Sequence, residues 1–220
     1  MRAVVLAALV ACGSSAAPAP SSGSGTYAGR PIAQTMSYLG ADWLDRPERA
    51  AREQPEHVLD SLKLTPQMTV ADVGAGTGYF TLRLAKRVAH VIATDVQPQM
   101  LDMLRARLGS LTNVTLVQAS DHDAALPAAC CDLVLMVDVY HELADPAAIV
   151  AGVAKALRPN GRLVLVEYRG EDPAVPIKPE HKMTLAQLKL ELAGLHFRFV
   201  DSNEMLPDQR VVTFTRDGLH

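Results

Sequence analysis

Four short stretches of this 220-residue chain bring together residue types that do chemistry. The first is Asp72-Val73-Gly74-Ala75-Gly76-Thr77-Gly78, where three glycines fall at alternate positions behind an apolar, β-branched run. Glycine lets a backbone turn sharply and approach a ligand with no Cβ in the way. A helix opening behind such a turn points free N–H groups and a positive dipole end into it. The second is Asp95, 21 residues after Gly74 and followed by Val96; its carboxylate either accepts ligand hydroxyls or caps a helix. The third is Ser120-Asp121-His122-Asp123, a polar cluster after another apolar run. The fourth is Asp138-Val139-Tyr140-His141-Glu142. Its histidine can take a proton near neutral pH, or can simply tie down the next helix.

These stretches sit at the ends of elements that the hydrophobic pattern makes legible. Strands are expected at Thr69–Val73, His90–Asp95, Val114–Gln118, Asp132–Val137 and Arg162–Tyr168. Helices are expected at Tyr79–Val88, Pro98–Leu108, Pro146–Leu157 and Leu185–Leu195, and Glu48–Leu62 reads as a helix split by Pro55 near Gln54. Pro159-Asn160-Gly161 reads as a turn between helix and strand. Runs such as Leu133-Val134-Leu135-Met136-Val137, apolar at every position, suit a parallel sheet covered on both faces. Phe197–Val200 and Arg210–Thr215 alternate as a closing antiparallel pair does. The expected fold is therefore α/β and Rossmann-like: a doubly wound, mostly parallel seven-stranded sheet with an antiparallel C-terminal hairpin. Ligands of such sheets bind beyond the carboxyl ends of the strands, where all four stretches lie.

The glycine spacing resembles one family in particular. A dinucleotide fingerprint reads G-x-G-x-x-G, whereas here Thr77 precedes Gly78 and Tyr79 follows it. G-x-G-x-G after Asp72 is similar to motif I of class I S-adenosylmethionine (SAM)-dependent methyltransferases, and the resemblance extends from about Glu48 to the C-terminus. It implies SAM as cofactor, with Asp72 and the loop Gly74, Ala75, Gly76 and Gly78 holding the methionine part. Asp95 then takes both ribose hydroxyls and Val96 lies against the adenine. The family's usual acidic adenine contact falls on Ser120, so Ser120 and Asp121 are both candidates for that contact. Asp138 completes the cofactor set, His141 stands as catalytic base, and Tyr140 orients the substrate or packs over the sulfonium. The Asn/Asp-Pro-Pro-aromatic signature of adenine and glutamine N-methylation is missing, so the implied acceptor is another small molecule. The proline-rich stretch Gly170 to Met183 reads either as a substrate cover or as a surface loop; its Lys178, His181 and Lys182 favour an anionic substrate in the first case.

Composition narrows the rest. Hydrophobic residues make up 49% and charged residues 20%, enough for one good core, and a net charge of −3 with no basic run excludes a nucleic-acid footprint. Adjacent Cys130 and Cys131 should point to opposite faces of a strand and not bridge. The seven histidines show no i, i+4 pair and no cysteine neighbour, so no metal is expected. Residues 1–11, Met1-Arg2 and then an apolar run, read as a signal peptide ending at the lipobox-like Leu9-Val10-Ala11-Cys12. Residues 12–29 follow as a flexible tether, 30–47 as an N-terminal cover segment and 48–220 as the methyltransferase-like domain. The expected address is the cell envelope through a lipid on Cys12, or the cytoplasm if the N-terminus is not processed. Two other readings are a non-catalytic lipoprotein of the same fold that binds a ligand or partner, and an NAD-type oxidoreductase, which the glycine spacing disfavours.

Overall fold

The computed structural model describes residues 25–218; the expected signal peptide and most of the tether lie outside the described residues. Among the described residues, ten strands and six α-helices follow in chain order. A two-residue hairpin, β1 (Thr26–Tyr27) and β2 (Arg30–Pro31), precedes a 3-10 helix at Tyr38–Asp45. Then come α1 (Arg49–Glu53), α2 (Pro55–Ser61), β3 (Thr69–Val73), α3 (Thr81–Leu84), β4 (His90–Asp95), α4 (Pro98–Arg107) and β5 (Val114–Gln118). The second half runs β6 (Cys131–Val137), α5 (Pro146–Ala156), β7 (Leu157–Arg169), β8 (Lys182–Met183), α6 (Leu185–Gly194), β9 (Phe197–Asn203) and β10 (Gln209–Arg216).

The main sheet has the order β5-β4-β3-β6-β7-β10-β9. All pairs are parallel except those of β10 with β7 and β9, which are antiparallel. The seven strands on this path form the expected doubly wound sheet, and β8 adds a short parallel pairing to the end of β7. The chain moves outward from β3 to β5, then returns to place β6 on the other side of β3. The switch point therefore lies between the carboxyl ends of β3 and β6, where a crevice opens.

Burial explains the continuous apolar runs. Alternate residues Ala71, Val73, Val134, Met136, Leu163 and Leu165 meet α5 and α6 through Ile149, Val153, Leu188 and Leu192. The intervening Val70, Leu133, Leu135, Val164 and Val166 meet Val58, Leu59, Phe80 and Leu84 on the opposite face. With both faces covered, these apolar runs leave no position for a solvated residue.

Four details differ from expectation. The helix expected over Tyr79–Val88 is only α3, Thr81–Leu84, flanked by turns. Asn160 adopts φ +65° inside β7, and pairing with β6 jumps from Cys131–Leu157 to Leu133–Arg162, so the expected Pro-Asn-Gly turn is a bulge within a longer strand. The end of the tether is folded, because Arg30 ion-pairs with buried Glu191 at 2.8 Å and holds the β1–β2 hairpin down. The Cys130 and Cys131 sulfurs lie 2.8 Å apart instead of on opposite faces, since Cys130 precedes β6 and escapes the strand's alternation. Gln54, at φ +42°, breaks α1 from α2 just before Pro55, as expected.

Candidate active site

The glycine loop leaves β3 and is tied almost entirely to its own neighbours. Gly74 N–H and Ala75 N–H both donate to the Thr94 carbonyl, at 2.8 and 2.9 Å, and Gly78 N–H donates to the Ala75 carbonyl at 2.9 Å. Gly76 N–H donates to Asp95 Oδ2 at 2.9 Å. These groups are thus spent inside the protein, and the four-residue α3 adds no strong dipole. The expectation that the Gly74 backbone grips a ligand carboxylate is corrected: the loop sets shape and closeness of approach. Each glycine faces something different. A Cβ on Gly74 meets Val139 Cγ2 at 2.4 Å, one on Gly76 meets Leu44 Cδ1 at 2.9 Å, and one on Gly78 meets Leu104 Cδ1 at 2.2 Å.

A cavity of about 750 Å³ opens over this loop, within the size range of small-molecule sites. Gly74, Gly76, Asp95, Val96, Ser120, Asp121, Asp138 and His141 all border it. Asp72, Ala75, Gly78 and Tyr140 do not. Asp72 and Ala75 border a separate recess of about 40 Å³ below the loop. There the Asp72 carboxylate accepts from Thr81 Oγ1 at 2.6 Å. Its expected contact with a bound methionine group is corrected to a bond that pins the loop to α3, and Gly78 is corrected to a packing position under Leu104.

Burial pushes the Asp72 carboxyl up to about 6, offset in part by the Thr81 hydroxyl and reinforced by Asp95. The folded state thus holds this proton more tightly than the unfolded chain. The cost of ionisation is absent below about pH 4 and complete above about pH 6. Asp72→Asn, which can still accept from Thr81, is expected to stabilise the protein by about 1–3 kcal/mol at pH 7.5 and by nothing measurable at pH 4. Urea midpoints at the two pH values check this; a gain that is the same at both contradicts it.

Asp95 Oδ1 accepts from Gln97 N–H at 2.8 Å, so its two oxygens brace the turn into α4 and the glycine loop together. Burial raises its proton affinity, while the backbone donors from Gln97, Gly76 and Val96 oppose this. Gln97 caps α4 and also holds the N-terminal segment. Its Oε1 accepts from Tyr38 N–H at 2.8 Å and its Nε2 donates to the Met36 carbonyl at 2.9 Å. This places Ser37, Trp43 and Leu44 along the cavity wall.

Past β6 the chain turns through Asp138, a non-glycine residue at φ +55°. Gln209 Nε2 donates to both Asp138 oxygens at 2.8 Å. Burial, then the Glu53 and Glu167 charges, push this carboxyl up to about 8. Tyr140 points away from the cavity, its buried hydroxyl donating to Glu191 Oε2 at 2.9 Å, so its expected substrate contact is corrected to a structural one.

His141 is nearly fully buried on its protein side. Its Nδ1 donates to Glu167 Oε2 at 2.6 Å, and Glu167 Oε1 accepts from Tyr140 N–H at 3.0 Å. Burial pulls the imidazole down, but Glu167, with Glu142 and Asp138 beyond it, outweighs this and lifts it to about 9. The Glu167 carboxylate thus favours the protonated ring over a free base. Its Nε2 lies 3.2 Å from His181 Nδ1, brought from the loop between β7 and β8. Burial and the His141 charge push His181 down. Burial lifts Glu142, beside them, to about 7 despite the His141 charge. Sequence spacing missed this cluster because His181 lies 40 residues from His141. Glu167 carried one signal, a carboxylate inside the apolar run Leu163 to Tyr168.

The chain is similar to several known methyltransferases. Residues 71–165 match the family described as a methyltransferase domain. An uncharacterised methyltransferase of Mycobacterium bovis is 38% identical over 119 residues, covering 54% of this chain and 47% of its own. A demethylmenaquinone methyltransferase of Tropheryma whipplei is 31% identical over 134 residues, covering 61% and 55%. A solved SAM-dependent methyltransferase of Aquifex aeolicus superposes with a TM-score of 0.76 at 25% identity, over 82% of this chain and 98% of that one. In fold, and over residues 71–165, the chain is similar to the class I SAM-dependent methyltransferases. It spans about half the length of the curated relatives it matches.

SAM is the cofactor of such methyltransferases, and the cavity fits it. One wall offers the Asp95 carboxylate, with Val96, Met100 and Ala124 as apolar neighbours for a flat base. The Thr94 hydroxyl, on the same wall, is buried without a partner. Asp138 also borders the cavity, and a cationic group beside it would favour its charged form.

Proposed function

We propose that this protein transfers the methyl group of SAM to a small-molecule acceptor. The observation that carries the reading is one cavity that joins a nucleoside-type wall, from Gly74 to Asp121, with a polar mouth built by His141, Glu142 and His181. In this reading Asp95 accepts the ribose hydroxyls, Val96 lies against the adenine, and Ser120 or Asp121 meets its amino group. Asp138 holds the cofactor's cationic end. The bound cofactor supplies an electrophilic methyl group on sulfur.

The chain's own task is then to position the acceptor and exclude water, which accounts for much of the rate of such a transfer. Trp43 and Leu44 close the cavity from the N-terminal side, and Ile177 and Lys178 border it from the loop after β7. His141, clamped by Glu167, is a positioning residue that sets His181 and Glu142 at the mouth. The name of the Tropheryma relative, a demethylmenaquinone methyltransferase, supports a quinol-type acceptor. Incubation with SAM and a panel of phenols, quinols and amines, followed for S-adenosylhomocysteine release, tests the activity. Release above the acceptor-free rate is expected; none with any acceptor class opposes the reading.

The same proposal places the protein in the cell envelope, anchored through Cys12, on the strength of the apolar run and lipobox-like residues at 3–12. Mass spectrometry of the membrane fraction tests it. A diacylated Cys12 is expected, and an intact N-terminus in the soluble fraction contradicts it.

A further inference from the structure

The cluster at the mouth has a geometry that a proton relay does not require. His141 Nε2, His181 Nδ1 and a Glu142 oxygen converge from two segments of the chain, the turn after β6 and the loop before β8. Their separations are 3.2 Å between the two nitrogens, 3.9 Å from His141 Nε2 to Glu142 Oε1, and 3.7 Å from His181 Nδ1 to the same oxygen. Two donors each about 2.1 Å from one ion at a tetrahedral angle stand about 3.4 Å apart, so all three pairs lie close to that spacing. Among the described residues this is the group of three whose ligand atoms come within 4.8 Å of one another.

The surroundings are those of a ligand set. His141 turns its other nitrogen into the Glu167 carboxylate at 2.6 Å, which fixes the ring and aims Nε2 at His181, the nitrogen on which an ion would take the place of a proton. A histidine held in this way by a carboxylate is the usual support of a metal-bound imidazole. His181 keeps some exposure on its short 3-10 turn, so an ion can reach it from the cavity. Two ring nitrogens facing each other at 3.2 Å must share something positive, a proton or a cation.

We propose that His141, Glu142 and His181 form a site for a divalent transition-metal ion of the zinc type, with its remaining positions open to the cavity. Two imidazoles and one carboxylate with a vacant face match the catalytic rather than the structural pattern for such ions. An ion here completes its coordination with an oxygen of the acceptor, which selects acceptors bearing a hydroxyl or carboxylate. This substrate assignment rests on the methyltransferase reading; the site itself does not.

The test uses the full-length protein stripped with a chelator and then titrated with Co²⁺ by visible absorption, with Zn²⁺ and S-adenosylhomocysteine by calorimetry in parallel. Expected are one Co²⁺ per chain with a d–d band that Zn²⁺ abolishes, and at least tenfold weaker Zn²⁺ binding in His181→Ala and in Glu142→Gln. His57→Ala, at an exposed histidine on α2, should leave Zn²⁺ affinity unchanged. Absence of a Co²⁺ band, or wild-type Zn²⁺ affinity in His181→Ala, overturns the site. S-adenosylhomocysteine binding without metal binding removes this proposal alone. Metal binding without S-adenosylhomocysteine binding supports the site and removes the cofactor reading instead.

Discussion

Asp95→Asn is expected to weaken S-adenosylhomocysteine binding by roughly 10- to 100-fold. A hydrogen bond to a charged acceptor contributes about 1.5–3 kcal/mol, and every 1.4 kcal/mol is tenfold in affinity. Asp95 has two tasks, since its oxygens brace Gly76 and Gln97 while facing the cavity. An asparagine can keep the Gly76 bond but cannot also accept from Gln97 N–H, so part of the loss comes from a loosened turn. Thermal unfolding separates the two. A melting point within a few degrees of wild type, with the affinity lost, places the effect at the ligand. Unchanged affinity removes Asp95 from the cofactor site.

Gly78→Ala should act in the opposite way, costing about 2–5 kcal/mol of stability. Its φ of +90° is strained for any L side chain, and the new Cβ would sit 2.2 Å from Leu104 Cδ1. Left-handed backbone costs of order 1–3 kcal/mol and an overpacked core another 1–3. Leu104 is fully buried and has no room to swing aside. For a chain of this length the loss corresponds to a melting point lower by roughly 5–15 °C. Trimming the clashing side chain restores part of it, so Gly78→Ala combined with Leu104→Ala should cost less than the sum of the two single changes. Strict additivity, or a stable Gly78→Ala protein that no longer binds S-adenosylhomocysteine, returns Gly78 to the ligand site.

These two residues show where sequence reasoning reaches and where it stops. The bounds of β3 and β4 follow directly from apolar runs ending in the glycine loop or at Asp95, because both sheet faces are covered and the pattern is continuous. The break at Gln54 follows from the proline after it. The direction of a side chain inside a turn follows from no such period. Tyr140 and His141 are neighbours in a three-residue 3-10 turn, yet one points to Glu191 in the core and the other to the cavity. Alternate glycines look equivalent in the sequence, but Gly74 and Gly76 border the cavity while Gly78 faces α4. That Glu167 and His181 meet His141 became visible only when the fold brought β7 and its following loop over the turn after β6. Their partners lie 26 and 40 residues away, beyond any local motif. The cofactor wall was thus largely legible, whereas the polar mouth was assembled by long-range contacts.

Calorimetry of the purified full-length protein with S-adenosylhomocysteine, SAM and NAD tests the central claim most directly. Expected are one saturable site per chain for S-adenosylhomocysteine and for SAM, and no heat with NAD. Absence of binding for both sulfur nucleosides, or saturable binding of NAD in their place, contradicts the assignment of the cavity between β3 and β6 as a SAM site.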